Sequence, residues 1–191
     1  LFRERRHIES LCGFKPDQTG ADLCYNSLGH ADALLIGADL EFNEVLTTLV
    51  LGDNKIGSEG AVAIGAALRG NGVLTKLNLA NNAIGRQGAK AIGKALEVNE
   101  VLTDLNLRFN YIGPEGGVAI SKALAVNGVL TNLDLPGNRI GPGGANAIGK
   151  ALALNGVLKS IDLRVNNLGD EGEKAIRDAV SGREGFKLWL Q

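Results

Sequence analysis

A nine-position pattern, L-x-x-L-x-L-x-x-N, recurs five times at an interval of 28 residues, and nothing else in the chain constrains its fold as tightly. The pattern starts at Leu46, Leu74, Leu102, Leu130 and Leu158. Its second apolar place holds Leu49, Leu77, Leu105, Leu133 and Ile161, and its third holds Leu51, Leu79, Leu107, Leu135 and Leu163. Asn54, Asn82, Asn110, Asn138 and Asn166 close it. Self-similarity at a fixed period of this length marks a stacked architecture in which each copy is one supersecondary unit.

The hydrophobic period changes inside each copy. Leu49-Val50-Leu51 alternates, as a strand with one buried face does. Gly57, Gly85, Gly113, Gly141 and Gly169 then mark a sharp turn that needs a permissive backbone. Ile56, Ala61, Ile64 and Leu68 recur as Ile84, Ala89, Ile92 and Leu96, close to helical spacing. Pro114 and Pro142 fall where a first helical turn tolerates proline. A second column, Asn71, Asn99, Asn127 and Asn155, marks the return loop.

One copy cannot bury its own apolar face, but a stack buries a continuous core with strands in a parallel sheet and helices outside. Strands stack about 4.8 Å apart and helices about 10 Å, so the array must curve with its sheet concave. Small residues such as Ala63, Gly65, Ala91 and Gly93 are expected to ease crowding between the helices. The asparagines are expected to satisfy loop backbone groups as an internal ladder.

The ends depart from the pattern, as caps must. A weakened unit precedes Leu46, with Ala21, Leu23, Asn26, Leu28, Gly29, Ile36 and Leu40 in the repeat slots. Residues 1–12 read as a short amphipathic helix with Ile8, Leu11 and Cys12 inward. The predicted organisation is an N-terminal capping helix over 1–17, six units over 18–185, and a cap strand over 186–191. Trp189 is expected to fold over the last unit and seal the core beneath Leu163 and Ile176. The alternative is that the weakly protected edge over 186–190 pairs with a second copy as a homodimer.

These motifs, and phrases such as VLTDLNLRFNYIGPEGGVAISKAL, resemble leucine-rich repeats of the ribonuclease-inhibitor-like class, most closely those of NOD-like receptors. The resemblance covers roughly residues 18–185. It implies an α/β leucine-rich-repeat solenoid, a curved horseshoe arc with a concave parallel sheet and convex helices. It also implies a macromolecular binding scaffold rather than an enzyme. Ran GTPase-activating protein and tropomodulin share the unit, so regulation of a GTPase is an alternative, as is a purely structural, assembly or consensus-like scaffold role.

Composition narrows the function classes. A net charge of −1 supplies no field to gather nucleic acid or an anionic membrane. No apolar run approaches the roughly 20 residues of a membrane span. Two cysteines, Cys12 and Cys24, make no disulfide scaffold and fit a reducing, cytoplasmic setting. The chain opens on Leu1 and has no Met, as expected of one processed or cut from a longer protein. His7, Cys12, Cys24 and His30 lack the close pairs of a zinc site, so no metal is expected. Segments 88–94 and 144–150 match G-x-x-x-x-G-K, but Ala95 and Ala151 replace the magnesium-binding hydroxyl, and both lie within the repeat helix. No cofactor is therefore expected.

The candidate site lies where the repeat is least uniform. One outward column reads Cys24, Gly52, Ala80, Arg108, Pro136, Arg164, and the next reads Tyr25, Asp53, Asn81, Phe109, Gly137, Val165. Exposed aromatics beside arginine are the usual composition of a binding hot spot. Arg108, Phe109 and Tyr111 form the expected centre of a protein-partner site on the concave face. Asp104, Asp134, Asp162, Arg164 and Val165 flank it. Asp134 and Asp162, one strand spacing apart, also raise an acid–base reading, but an open face that excludes no water argues against it.

Overall fold

The computed structural model describes residues 11–191. Strands and helices alternate in chain order. They are β1 (Gly20–Asp22), α1 (His30–Phe42), β2 (Thr48–Val50), α2 (Gly57–Leu68), β3 (Lys76–Asn78) and α3 (Gly85–Leu96). Then follow β4 (Asp104–Asn106), α4 (Gly113–Val126), β5 (Asn132–Asp134), α5 (Gly141–Leu154), β6 (Ser160–Asp162), α6 (Gly169–Val180) and β7 (Lys187–Trp189). The strands form one parallel sheet in sequence order. Leu49 pairs with Leu77, Leu77 with Leu105, Leu105 with Leu133 and Leu133 with Ile161, so the repeat interval is also the sheet register. This is the α/β solenoid the pattern predicts.

The core is a wall of aliphatic side chains between sheet and helices. Leu105, Leu107, Ile112 and Leu102 of the central unit are all fully buried. Helices α2 to α6 each open on a glycine with positive φ (Gly113 at 68°), a conformation that a Cβ disfavours. Helices pack closely through small residues: a Cβ on Gly93 would come within 2.9 Å of the Ala119 carbonyl oxygen.

Both asparagine columns are buried inter-unit ladders. The Asn110 side chain donates to the carbonyls of Leu79 (2.8 Å) and Leu107 (3.0 Å). Its Oδ1 accepts from the backbone N–H of Asn82 (3.0 Å) and Ile84 (3.3 Å). In the return loops Asn99 donates to the Leu68 carbonyl at 2.7 Å and accepts from the Leu102 N–H at 2.8 Å. Each asparagine thus bonds loop backbone to its neighbour unit, where water cannot reach.

The ends differ from the sequence reading. Residues 11–19 form no helix; the rest of the predicted capping helix lies outside the described residues. Leu11, expected inward, is 49% exposed, and Phe14 is buried against the core instead. The carboxylate of Asp39 on α1 accepts the backbone N–H of Leu11 and Cys12, both at 2.7 Å, and ties this segment down. Burial, with Asp39 alongside, pushes the Cys12 thiol up to about 12.

At the other end β7 pairs with β6, Leu188 opposite Ile161 and Trp189 opposite Asp162. Strand alternation therefore turns Trp189 away from the core, where it is 40% exposed, and turns Leu190 inward, where it is buried. Leu190 seals the stack, with Phe186 and Leu188 packed beside it. Arg183 takes the place that the ladder asparagine would occupy. Its guanidinium lies 4.4 Å from the centre of the Phe186 ring and donates to the Leu158 carbonyl.

Candidate functional site

After β3, β4, β5 and β6 the chain makes a loop with two left-handed residues flanking the buried asparagine; the β1 loop has the same pair around an exposed Asn26, and the β2 loop keeps only the first. The first of these is Tyr25, Asp53, Asn81, Phe109, Gly137 or Val165, with φ between 52° and 68°. The second, two residues on, is Ser27, Ala83, Tyr111, Arg139 or Asn167 in the corresponding units. A left-handed residue on each side of an inward asparagine directs its neighbours outward. The stacked loops thus form a continuous rim along one edge of the sheet. The rim backbone is fixed, because the Phe109 N–H donates to the Pro136 carbonyl at 2.8 Å, beyond the end of the strand.

Side chains on this rim are large and solvated. Tyr25 is 78% exposed, Val165 71%, Tyr111 55% and Phe109 41%. Residues other than Gly, Asn or Asp disfavour the left-handed region, and a β-branched residue does so most. The chain therefore places apolar groups in water on a backbone that opposes them.

Of the expected centre, Arg108 and Phe109 are in contact, and Tyr111 meets Arg139 of the next unit. The Arg108 guanidinium lies 4.9 Å from the centre of the Phe109 ring. Arg139, from the next unit, lies 4.8 Å from the centre of the Tyr111 ring. The Phe109 ring crosses Gly137, where a Cβ would overlap it. Two aromatics, each faced by an arginine, make an amphipathic cluster that spans two units.

The flanking candidates are placed differently. Asp104 accepts from the Asn132 side chain at 3.2 Å. Asp162 is buried and holds Arg164 in a fork, with Nε at 3.0 Å and Nη2 at 2.6 Å. Asp162 thus holds Arg164 against the sheet with 49% of its side chain still exposed, and Val165 stands two units from Phe109. Burial, then Asp162 and Asp104, raise the Asp134 carboxyl above its ordinary range, against the pull of Arg108 and Arg164. Asp104, Asp134 and Asp162 thus lie close enough on the concave face to act on one another, and exposed Trp189 extends that row past Asp162.

Sequence reading missed three contributors. Arg139 follows Tyr111 by one repeat, in a column that varies as much as its neighbours: Ser27, Lys55, Ala83, Tyr111, Arg139, Asn167. Gly137 matters because it has no side chain, and a glycine in a column otherwise filled with side chains is the signal. Trp189 was assigned to the core through its size, whereas the parity of its strand decides its face. Among the described residues no group of His, Cys, Asp and Glu is arranged to hold a metal ion, and no helix is long and apolar enough to cross a membrane.

Comparison with known proteins agrees with this architecture. The family model described as "Leucine Rich repeat" matches residues 42–65, 70–93, 98–121, 126–149 and 155–176. These matches span more than half of the chain, which belongs to the leucine-rich-repeat family. A solved structure titled "Leiomodin-1 Actin-Binding Site 2 (ABS2)" is similar, with 26% identity and a TM-score of 0.60 over 72% of this chain and 83% of that one. No curated protein matches.

Proposed function

We propose that this chain is a protein-docking scaffold whose rim cluster of Arg108, Phe109, Tyr111 and Arg139 anchors a partner, with Asp104, Asp134 and Asp162 beside it on the concave face. The observation that carries this reading is the rim itself: exposed aromatic and aliphatic residues held in left-handed backbone. Folding alone favours glycine or asparagine there, so the residues present favour a use other than stability. Aromatics paired with arginine are the side chains that dominate binding hot spots. Arg164, Val165 and Trp189 would contact a partner long enough to extend two units beyond Phe109.

The 28-residue unit with a full helix on its outer side supports the ribonuclease-inhibitor-like subclass. Cys12 is half-buried and its thiol is held in the neutral form, which suits a reducing, cytoplasmic setting. The leiomodin module, an actin-binding site by its title, makes actin the first partner to test.

The experiment is co-sedimentation and titration with filamentous and monomeric actin, beside affinity capture from cell extract. Wild type is expected to retain a partner that Arg108→Ala with Phe109→Ala loses. Lys174→Ala with Arg177→Ala on α6 should leave binding intact. Loss of the partner through the α6 pair, with the rim pair inert, would contradict the assignment.

A further inference from the structure

The convex helices carry a second ordered surface that the rim does not use. Stacking at the repeat interval aligns Lys94 of α3, Lys122 of α4 and Lys150 of α5 into one exposed row. Among the described residues none of the three makes an ion pair. Their neighbours are neutralised: Lys90 by Glu115 at 2.9 Å and Lys174 by Asp178 at 2.5 Å.

Apolar surface borders the row on both sides. On one side Ala91, Val118 and Ala119 line a groove of about 800 Å3 that crosses α2, α3 and α4, with Lys94 and Lys122 along it. On the other side Val98, Val126 and Leu154 are 52%, 67% and 75% exposed. Each follows its lysine by four residues, the spacing of neighbours on one helix face. Three successive units thus repeat an unpaired cation with an exposed aliphatic group beside it, and the small-residue groove borders the row at α3 and α4.

We propose that this surface docks an acidic amphipathic helix of a partner protein, laid across α3, α4 and α5. The spacings are commensurate. Packed helices lie about 8–10 Å apart. A helix rises about 1.5 Å per residue, so every seventh residue recurs about every 10.5 Å along it. A carboxylate at each seventh position then meets one lysine in each unit. Residues three and four places further on fall on either side of that acidic line, and their apolar side chains meet the groove and the aliphatic row. Charge complementarity selects the acids, and the two apolar borders select an amphipathic helix over a flexible acidic tail. A flat anionic bilayer meets a convex surface only along a narrow strip and leaves the groove unused. This proposal does not rest on the rim reading.

The test uses the intact chain and fluorescent synthetic helices of about three heptads. One carries Glu at every seventh position with Leu three and four places later; a second has the same composition with Glu at every fifth position. The first is expected to bind at least about 10-fold more tightly than the second. Lys94→Glu with Lys122→Glu and Lys150→Glu should lower that affinity at least about 10-fold and should gain binding to the first peptide rewritten with Lys for Glu. Circular dichroism of the triple variant should match wild type, because all three positions are exposed. Equal binding of the two spacings overturns the proposal, and so does unchanged affinity in the triple variant. Binding to phosphatidylserine vesicles with no binding to either peptide also overturns it, in favour of a lipid surface.

Discussion

Asn110 and the residues on either side of it occupy one loop and answer to opposite demands. Asn110 is fully buried and spends its amide on the carbonyls of two units. Phe109 and Tyr111 are exposed, strained in backbone, and faced by arginines rather than packed in the core. The asparagine column barely varies from unit to unit, whereas its neighbours run through Tyr, Asp, Asn, Phe, Gly and Val. The framework and the surface that it presents are thus interleaved residue by residue. If the rim binds a partner as proposed, substitutions one position apart should alter stability and recognition separately.

The largest separation should appear in the core. Leu107→Ala should destabilise by about 2–5 kcal/mol, as truncation of a fully buried leucine does, and lower the urea midpoint in proportion. Asn110→Ala should follow at about 1–3 kcal/mol, because it strands several buried backbone groups. Equal melting of both variants and wild type would dissolve the distinction between framework and rim.

On the rim the sign should reverse. Val165→Asn relieves a β-branched residue at φ 57° and should stabilise by about 1 kcal/mol in urea titrations. A destabilised variant would mean that Val165 packs usefully where it stands. The smallest effect concerns Asp134. Its carboxyl is raised in the folded state by burial and by neighbouring acids, so the folded chain holds that proton more tightly than the unfolded one. Stability from this group is present below the unfolded value and is lost as pH rises through the raised one. Asp134→Asn should therefore be more stable than wild type at neutral pH, with the gap closing as pH falls below the ordinary carboxylate range. A gap independent of pH would remove the acidic face as its cause.

What could be read from sequence follows the same division. Leu105, Asn110 and Gly113 were legible because burial, loop hydrogen bonding and backbone strain act alike in every unit, and repetition displays them. Leu11 and Trp189 were misplaced because each end occurs once. Phe14 fills the N-terminal gap from an irregular segment, and the shorter last return loop sets which of Trp189 and Leu190 points inward. On the rim, Phe109 was legible as a variable, outward position and Tyr111 as a nearby aromatic. The contacts of Phe109 with Gly137 and of Tyr111 with Arg139 cross between units, and single columns do not reveal them. Nor did spacing reveal that Arg164 is clasped by Asp162 two residues before it.

The central claim is that the rim recognises a partner and contributes little to the fold. The most direct test measures both quantities on the Arg108→Ala, Phe109→Ala chain. Its unfolding free energy is expected to stay within about 1 kcal/mol of wild type. Its partner affinity is expected to be at least about 30-fold weaker, equivalent to about 2 kcal/mol. Unchanged affinity, or affinity that falls only as far as the fold itself is lost, would contradict the claim.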